Sequence, residues 1–189
     1  MTYLALLGSP RKKGNSAALL ASFLDGAASK GHSGRTLFLQ EKRILPCTSC
    51  NSCKKDGKGT GKCVLKDDMT ELYPLVAEAE TIVHAFPVYW WSMPAQTKLF
   101  QDRLYALDYE SFNGKKLFLL LTYGGEDPNS GPRLIEDTFR DICDFLGMEL
   151  AGCLGACSGI TPVENNKSVL EKAFLLGRSE ERRVGKECH

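Results

Sequence analysis

Tyr3-Leu4-Ala5-Leu6-Leu7-Gly8-Ser9-Pro10-Arg11-Lys12-Lys13-Gly14-Asn15-Ser16 opens the chain and decides its fold class. The apolar run at residues 3–7 has the unbroken character of a strand buried on both faces. After Ser16, Leu19, Leu20, Phe23, Leu24, Ala27 and Ala28 recur on one helical face before Gly31 stops the helix. A strand that passes through a loop of small, hydroxyl and basic residues directly into a helix builds an anion site. The first amides of a helix lack partners, the helix dipole puts partial positive charge on them, and Ser9 and Ser16 add hydroxyl donors. The expected ligand is a phosphate. Neither the dinucleotide fingerprint nor the triphosphate loop matches, because Gly8 and Gly14 are followed by Ser9 and Asn15. An ordinary turn with Asn15 or Ser16 as N-cap is the competing account.

Outward from this stretch, apolar runs alternate with segments of helical period. Residues 36–39, 81–86, 116–123 and 150–156 read as four further strands. Met69, Leu72, Tyr73, Val76 and Ala79 mark a second helix. Leu99, Phe100, Leu104 and Leu107 mark a third, and Ile135, Phe139, Ile142, Cys143 and Leu146 a fourth. A short last helix is expected at residues 169–176. Parallel neighbours need helical crossovers, so the pattern predicts an α/β fold: a doubly wound five-stranded parallel sheet with helices on both faces. Residues 1–177 read as one domain. Residues 178–189 are highly charged without an apolar face and read as a tail, either a solvated terminus or an appendage not native to the chain.

The chain has 189 residues, enough for a sizeable core without staples. Its 24 basic and 23 acidic residues nearly cancel, so bulk charge favours neither nucleic acid nor an anionic membrane. No apolar stretch approaches the roughly 20 residues of a membrane span, and no signal peptide is apparent, which points to the cytoplasm. A small-molecule partner is expected.

In such a sheet the ligand lies beyond the carboxyl ends of the strands, where the winding reverses. The loops that matter therefore follow strands one, three and four. Pro87-Val88-Tyr89-Trp90-Trp91-Ser92-Met93-Pro94 sets three aromatics in a row on the second of these. They form a platform for a planar ring, or else a cap on the sheet or a subunit contact. Thr122-Tyr123-Gly124-Gly125 ends the most apolar strand with residues that let backbone approach a ligand closely. Together the three loops describe a site for a phosphorylated planar heterocycle.

These segments, with Ala95-Gln96, Lys98, Asp102 and Arg103 after the platform, resemble the flavodoxin-like NAD(P)H-dependent FMN reductase and iron-sulfur flavoprotein family over about residues 2–159. The resemblance implies that Ser9, Arg11, Gly14, Asn15 and Ser16 hold the FMN phosphate. It implies that Pro87, Val88, Tyr89 and Trp90 border the isoalloxazine ring and that Thr122, Tyr123, Gly124 and Gly125 approach its far edge. It further implies NAD(P)H as co-substrate, a homodimer or larger homo-oligomer, and electron delivery to a flavin, quinone, similar small acceptor or redox protein. Such a flavin needs no dedicated acid or base, so no catalytic residue is assigned. Nicotinamide and acceptor would take turns at the ring, giving ping-pong kinetics. Lys98, Asp102 and Arg103 are expected on a charged, solvated or intersubunit face.

Cys47-Thr48-Ser49-Cys50-Asn51-Ser52-Cys53, with Cys63 after nine intervening residues, places four of the eight cysteines in one loop. Four thiolates suffice for a [4Fe–4S] cluster or a tetrahedral zinc, and the two-residue gaps favour iron and sulfur. The loop also resembles the compact cysteine motif of iron-sulfur flavoproteins. It departs from that motif in residues 54–62, which are longer and richer in glycine and lysine, so cluster, zinc and free or redox-active thiols stay open as readings. A cluster would make the protein a one-electron carrier. A thiol or zinc module without flavin is the remaining alternative. Cys143, Cys153 and Cys157 read as small buried hydrophobes, and His84 as a core residue with its hydrogen bonds satisfied.

Overall fold

The computed structural model describes residues 2–179. In chain order they form β1 (Thr2–Leu7), α1 (Asn15–Ala28), β2 (Ser33–Phe38), α2 (Met69–Glu78), β3 (Thr81–Pro87), α3 (Ala95–Arg103), β4 (Lys116–Tyr123), α4 (Ser130–Leu146), β5 (Glu149–Cys157) and α5 (Lys167–Arg178). All four ladders are parallel and the order is 2-1-3-4-5. Winding reverses between β1 and β3, which makes the edge beyond them the place for a ligand.

The continuous apolar runs resolve into two faces. Leu4, Leu6, Ile82, Phe86, Leu117, Leu119 and Leu121 pack under α2, α3 and α4. Ala5, Leu7, Val83, Ala85, Phe118 and Leu120 pack under α1 and α5. Residues alternate strictly because successive strand side chains leave opposite faces, and both faces are covered. The two helices of the second face touch backbone to backbone. A Cβ on Gly26 would stand 2.0 Å from the Phe174 carbonyl oxygen, and one on Gly177 would stand 1.9 Å from that of Phe23.

The third helix is shorter than its periodicity predicts. It ends at Arg103, and Leu104–Ala106 and Tyr109–Phe112 continue as 3₁₀ turns. These turns form the bed for the cysteine loop. Residues 54–62 fold there as a small antiparallel ribbon, Lys54–Lys55 against Lys58–Gly59. Gly59 lies so close that a Cβ would stand 2.0 Å from the Leu107 oxygen, and the Gly61 amide donates to Ala106 O at 2.9 Å. The Lys54 ammonium sits over the Tyr105 and Tyr109 rings at 4.2 and 4.3 Å, and Lys58 pairs with Glu110. Docking thus explains Gly59, Lys54 and Lys58, while Gly57 and Gly61 sit at positive φ. Arg178 closes α5; residues 180–189, most of the expected tail, lie outside the described residues. Among the described residues no helix is long and apolar enough to cross a membrane.

Candidate functional site

Three loops leave the sheet side by side. Leu7 of β1 is level with Ala85, the Gly8 amide donates to Ala85 O at 2.8 Å, and Pro87 is level with Thr122. Gly8 itself is clasped by α3: Gln96 Nε2 donates to its carbonyl at 2.7 Å, and a Cβ there would stand 2.0 Å from Thr97 Oγ1. Neither Gln96 nor Thr97 was expected in this role from the sequence, although Gln96 ends the aromatic motif.

The start of α1 is free of capping and acidic side chains, and its N-cap is Gly14. Asn15 and Ser16 are therefore not caps. Asn15 Oδ1 instead accepts from the Val163 amide at 3.0 Å, and Ser16, buried, meets Thr122 Oγ1 through its hydroxyl at 2.8 Å. That bond ties the first loop to the third beneath the surface. Ser9 is buried and its Oγ accepts from the Arg11 amide at 3.1 Å. Arg11 is exposed and folds over Gly14, whose Cβ would stand 3.6 Å from Arg11 Nε. The positive guanidinium thus lies beside the unpaired amides.

The second loop is a two-residue hairpin of aromatic residues. Tyr89 and Ser92 exchange both backbone hydrogen bonds, at 2.8 and 3.0 Å, while Trp90 (φ 48°) and Trp91 (φ 58°) occupy the left-handed region. That geometry ordinarily calls for Asn-Gly, and it is costly for bulky side chains. Trp91 is fastened by Nε1 to Ser130 Oγ at 3.0 Å, whereas Trp90 is 90% exposed at the tip. Strain of this kind clusters at functional sites. Trp90→Asn is expected to raise thermal stability, by about 1 kcal/mol, because asparagine tolerates φ > 0 and little packing is lost. Equilibrium denaturation of the ligand-free protein measures it, and a fall would show that Trp90 is held there by packing.

Pro87 and Val88 are half-buried, and the Val88 amide donates to Thr122 O at 2.7 Å. In the third loop Tyr123 is buried and its hydroxyl donates to Asp127 at 3.1 Å. Gly124 has open space on its α-carbon, while its carbonyl is covered by Gly159, where a Cβ would stand 1.9 Å away. Gly125 is backed by Asn129, which also caps α4. All the residues expected around the ring and phosphate thus lie along one edge.

The cysteines divide. Cys53 is buried and Cys63 packs against the same core, while Cys47 and Cys50 are exposed. Burial pushes the Cys53 thiol up, with Cys63 and Cys47 adding to the effect. Hydrogen bonds from Ser52 and Thr48 bring Cys50 down to about 7. Among the described residues no three His, Cys, Asp or Glu side chains are gathered as for a metal ion. Cys143 is buried as expected, and Cys153 and Cys157 are half-buried.

Arg103 departs from its expected solvated place. Its side chain and that of Asp67 are 1% and 0% exposed and form a buried ion pair; Nη1 also donates to Leu45 O at 2.8 Å. Burial alone would raise the Asp67 carboxyl, but hydrogen bonds from Arg103 and from the Leu45 and Met69 amides outweigh it and hold the carboxyl below its usual range. Lys98 and Asp102 lie on the exposed face of α3 and form an ion pair there.

The parallel sheet, its 2-1-3-4-5 order and the helices on both faces define a flavodoxin-like α/β protein. The family described as NADPH-dependent FMN reductase matches residues 1–152, and the chain belongs to it. It is thereby a member of the NAD(P)H-dependent FMN oxidoreductases, with FMN as cofactor and NAD(P)H as co-substrate. An iron-sulfur flavoprotein of Archaeoglobus fulgidus is 34% identical over 178 residues, 94% of this chain and 77% of that protein. One from Methanosarcina thermophila is 32% identical over 162 residues, 85% and 82% of the two chains. The NAD(P)H:quinone oxidoreductase of Methanothermobacter marburgensis shares the fold, with a TM-score of 0.67 at 19% identity over 96% of this chain and 99% of that one.

Proposed function

We propose that FMN lies along the shared edge of β1, β3 and β4, with its phosphate at the start of α1. Arg11 and the amides of Gly14, Asn15 and Ser16 face the phosphate, with Ser9 shaping the loop beneath. Pro87, Val88, Tyr89 and Trp90 border the ring, and residues 122–125 line its far side. FMN bound there supplies the hydride acceptor for NAD(P)H and the donor to a flavin, quinone or similar small acceptor, so the chain supplies orientation and no acid or base. The observation that carries this reading is the uncapped, acid-free start of α1 beside Arg11, with the strained tryptophan turn leaving the same end of the sheet.

Gly14→Asp tests it. The backbone at Gly14 is extended, with φ 174°, which any residue adopts, and aspartate is a favoured N-cap. The ligand-free variant is expected to melt no lower than the parent, yet its carboxylate occupies the cradle and repels the phosphate. FMN affinity, followed by the quenching of flavin fluorescence, should fall by about a hundredfold. Unchanged affinity in a folded Gly14→Asp variant overturns the phosphate assignment. Arg11→Ala should weaken FMN by about tenfold. Anaerobic addition of NADPH or NADH to the loaded protein should bleach the flavin band.

A second reading concerns the thiols. The curated relatives above carry the name iron-sulfur flavoprotein, and Cys47, Cys50, Cys53 and Cys63 are the donor set a [4Fe–4S] cluster requires. Cys53 and Cys63 pack together, while Cys47 and Cys50 stand on a stretch without regular structure that has to close for a cluster to be held. We infer that this loop is the place of a cluster in the anaerobically prepared protein. Acid-labile sulfide and a broad visible shoulder beneath the flavin bands test it; flavin bands alone, with no sulfide, overturn it.

A further inference from the structure

Both ends of the cysteine loop are closed at one point. Leu45 N donates to Asp67 Oδ2 at 2.8 Å, and Arg43 and Asp68 exchange hydrogen bonds at 2.9 and 3.1 Å. Arg103 arrives from α3 and takes both ends at once. Nη1 reaches Leu45 O at 2.8 Å and Nη2 reaches Asp67 Oδ1 at 3.2 Å. The Met69 amide, at the start of α2, donates to the same carboxylate at 3.1 Å. The guanidinium fork is suited to such a two-point closure, which a lysine ammonium does not reproduce.

The other end of α3 is bolted to the opposite site. Gln96 and Thr97 both donate to the Gly8 carbonyl, at 2.7 and 3.5 Å. From Gln96 to Arg103 the helix rises about 10 Å. About two rigid turns of helix therefore join the loop that starts the phosphate cradle to the loop that carries the cysteines.

We propose that Arg103 is the positioning residue of the cysteine loop, and that α3 is the strut fixing that loop at a set distance from the mononucleotide edge. The strut's purpose rests on the flavin reading above, but Arg103's hold on the loop does not depend on what the thiols carry. Cys53 reports the hold, because it is buried only while the loop is docked. Cys143, on the buried face of α4, reports general unfolding.

The test is site-resolved alkylation of the FMN-loaded protein, treated with a chelator so that the thiols are free, and read by peptide mass spectrometry. The variant is Arg103→Met combined with Asp67→Asn, which removes the clasp without leaving a buried charge unpaired. Cys53 alkylation should accelerate by at least about tenfold, with Cys143 still protected and FMN affinity within about twofold of the parent, because only the loop opens. Cys53 rates equal to the parent overturn the proposal, and so do Cys53 and Cys143 rates that rise together. Should the double variant fail to fold, Arg103→Lys decides. Selective acceleration at Cys53 supports the clasp, and parental rates overturn it. Loss of FMN binding by the parent itself would instead count against the flavin reading.

Discussion

Arg103→Met alone is expected to destabilise the protein by about 3 kcal/mol or more, because it leaves the Asp67 carboxylate buried without its counter-charge. The pair is sealed from water on both sides, so truncation brings a desolvation penalty that solvent does not relieve. For a domain of this size the loss amounts to a fall of roughly 10 °C in melting temperature. The double replacement with Asp67→Asn should recover a large part of it, since no unpaired charge then remains. Calorimetry of the parent, the single and the double variant measures the difference. A single variant that melts with the parent would show that Asp67 is not buried as an ion.

The second large effect is acid sensitivity through His84. This residue lies in the middle of β3 among the rings of Phe86, Phe100 and Phe139, with centroids 6.1, 6.2 and 5.6 Å away. It is a core residue as expected, but it is not satisfied: Nδ1 has no hydrogen-bond partner among the described residues. Burial brings its pKa down to about 4. An unfolded histidine takes up a proton near pH 6.5, which the folded one refuses until about pH 4. Between those values the unfolded chain binds more protons, so stability falls as the pH falls. The accumulated loss is on the order of 3 kcal/mol. His84→Leu removes both the orphaned nitrogen and the linkage, and should flatten the denaturation free energy between pH 6.5 and 4. Asp67 and Glu80, both held below their usual range, add a loss of the same sign only at the acid end, below about pH 5, where unfolded carboxylates begin to take up protons, so the slope above that reports His84. A parental slope in His84→Leu would place the acid sensitivity elsewhere.

Local pattern carried far where chemistry is local. The strand at residues 3–7, the loop after it and the periodic leucines of α1 announced a strand–loop–helix unit, because each depends on neighbours within a turn or two. The aromatic run at residues 89–91 was legible for the same reason. Its left-handed turn was not, since nothing in Trp90-Trp91 suggests φ > 0; the paired hydrogen bonds of Tyr89 and Ser92 impose it. Capping by Asn15 or Ser16 was the competing account of this loop, because asparagine and serine are favoured caps. Tertiary partners claimed their side chains instead, from positions 148 and 106 residues away.

Residues 54–62 show the same limit. Their composition suggested an aberrant spacer, and only contact with Leu107, Ala106, Tyr105 and Tyr109 explains it. Arg103 is the sharpest case. In sequence it follows Lys98 and Asp102 on a charged helix, and nothing there separates the exposed pair from the buried arginine. What decides is that α3 turns Arg103 onto the closing point of a loop whose ends lie 22 residues apart.

The sequence by itself determined the doubly wound sheet, the three loops on one edge and the cysteine set, because hydrophobic period and short motifs are local properties. The tertiary structure alone decided that Gly14 leaves the cradle uncapped, that Ser16 binds Thr122 and that Arg103 closes the cysteine loop. Those are choices among distant partners. Burial settles them, because a polar group taken from water must find whichever partner the fold has brought within reach.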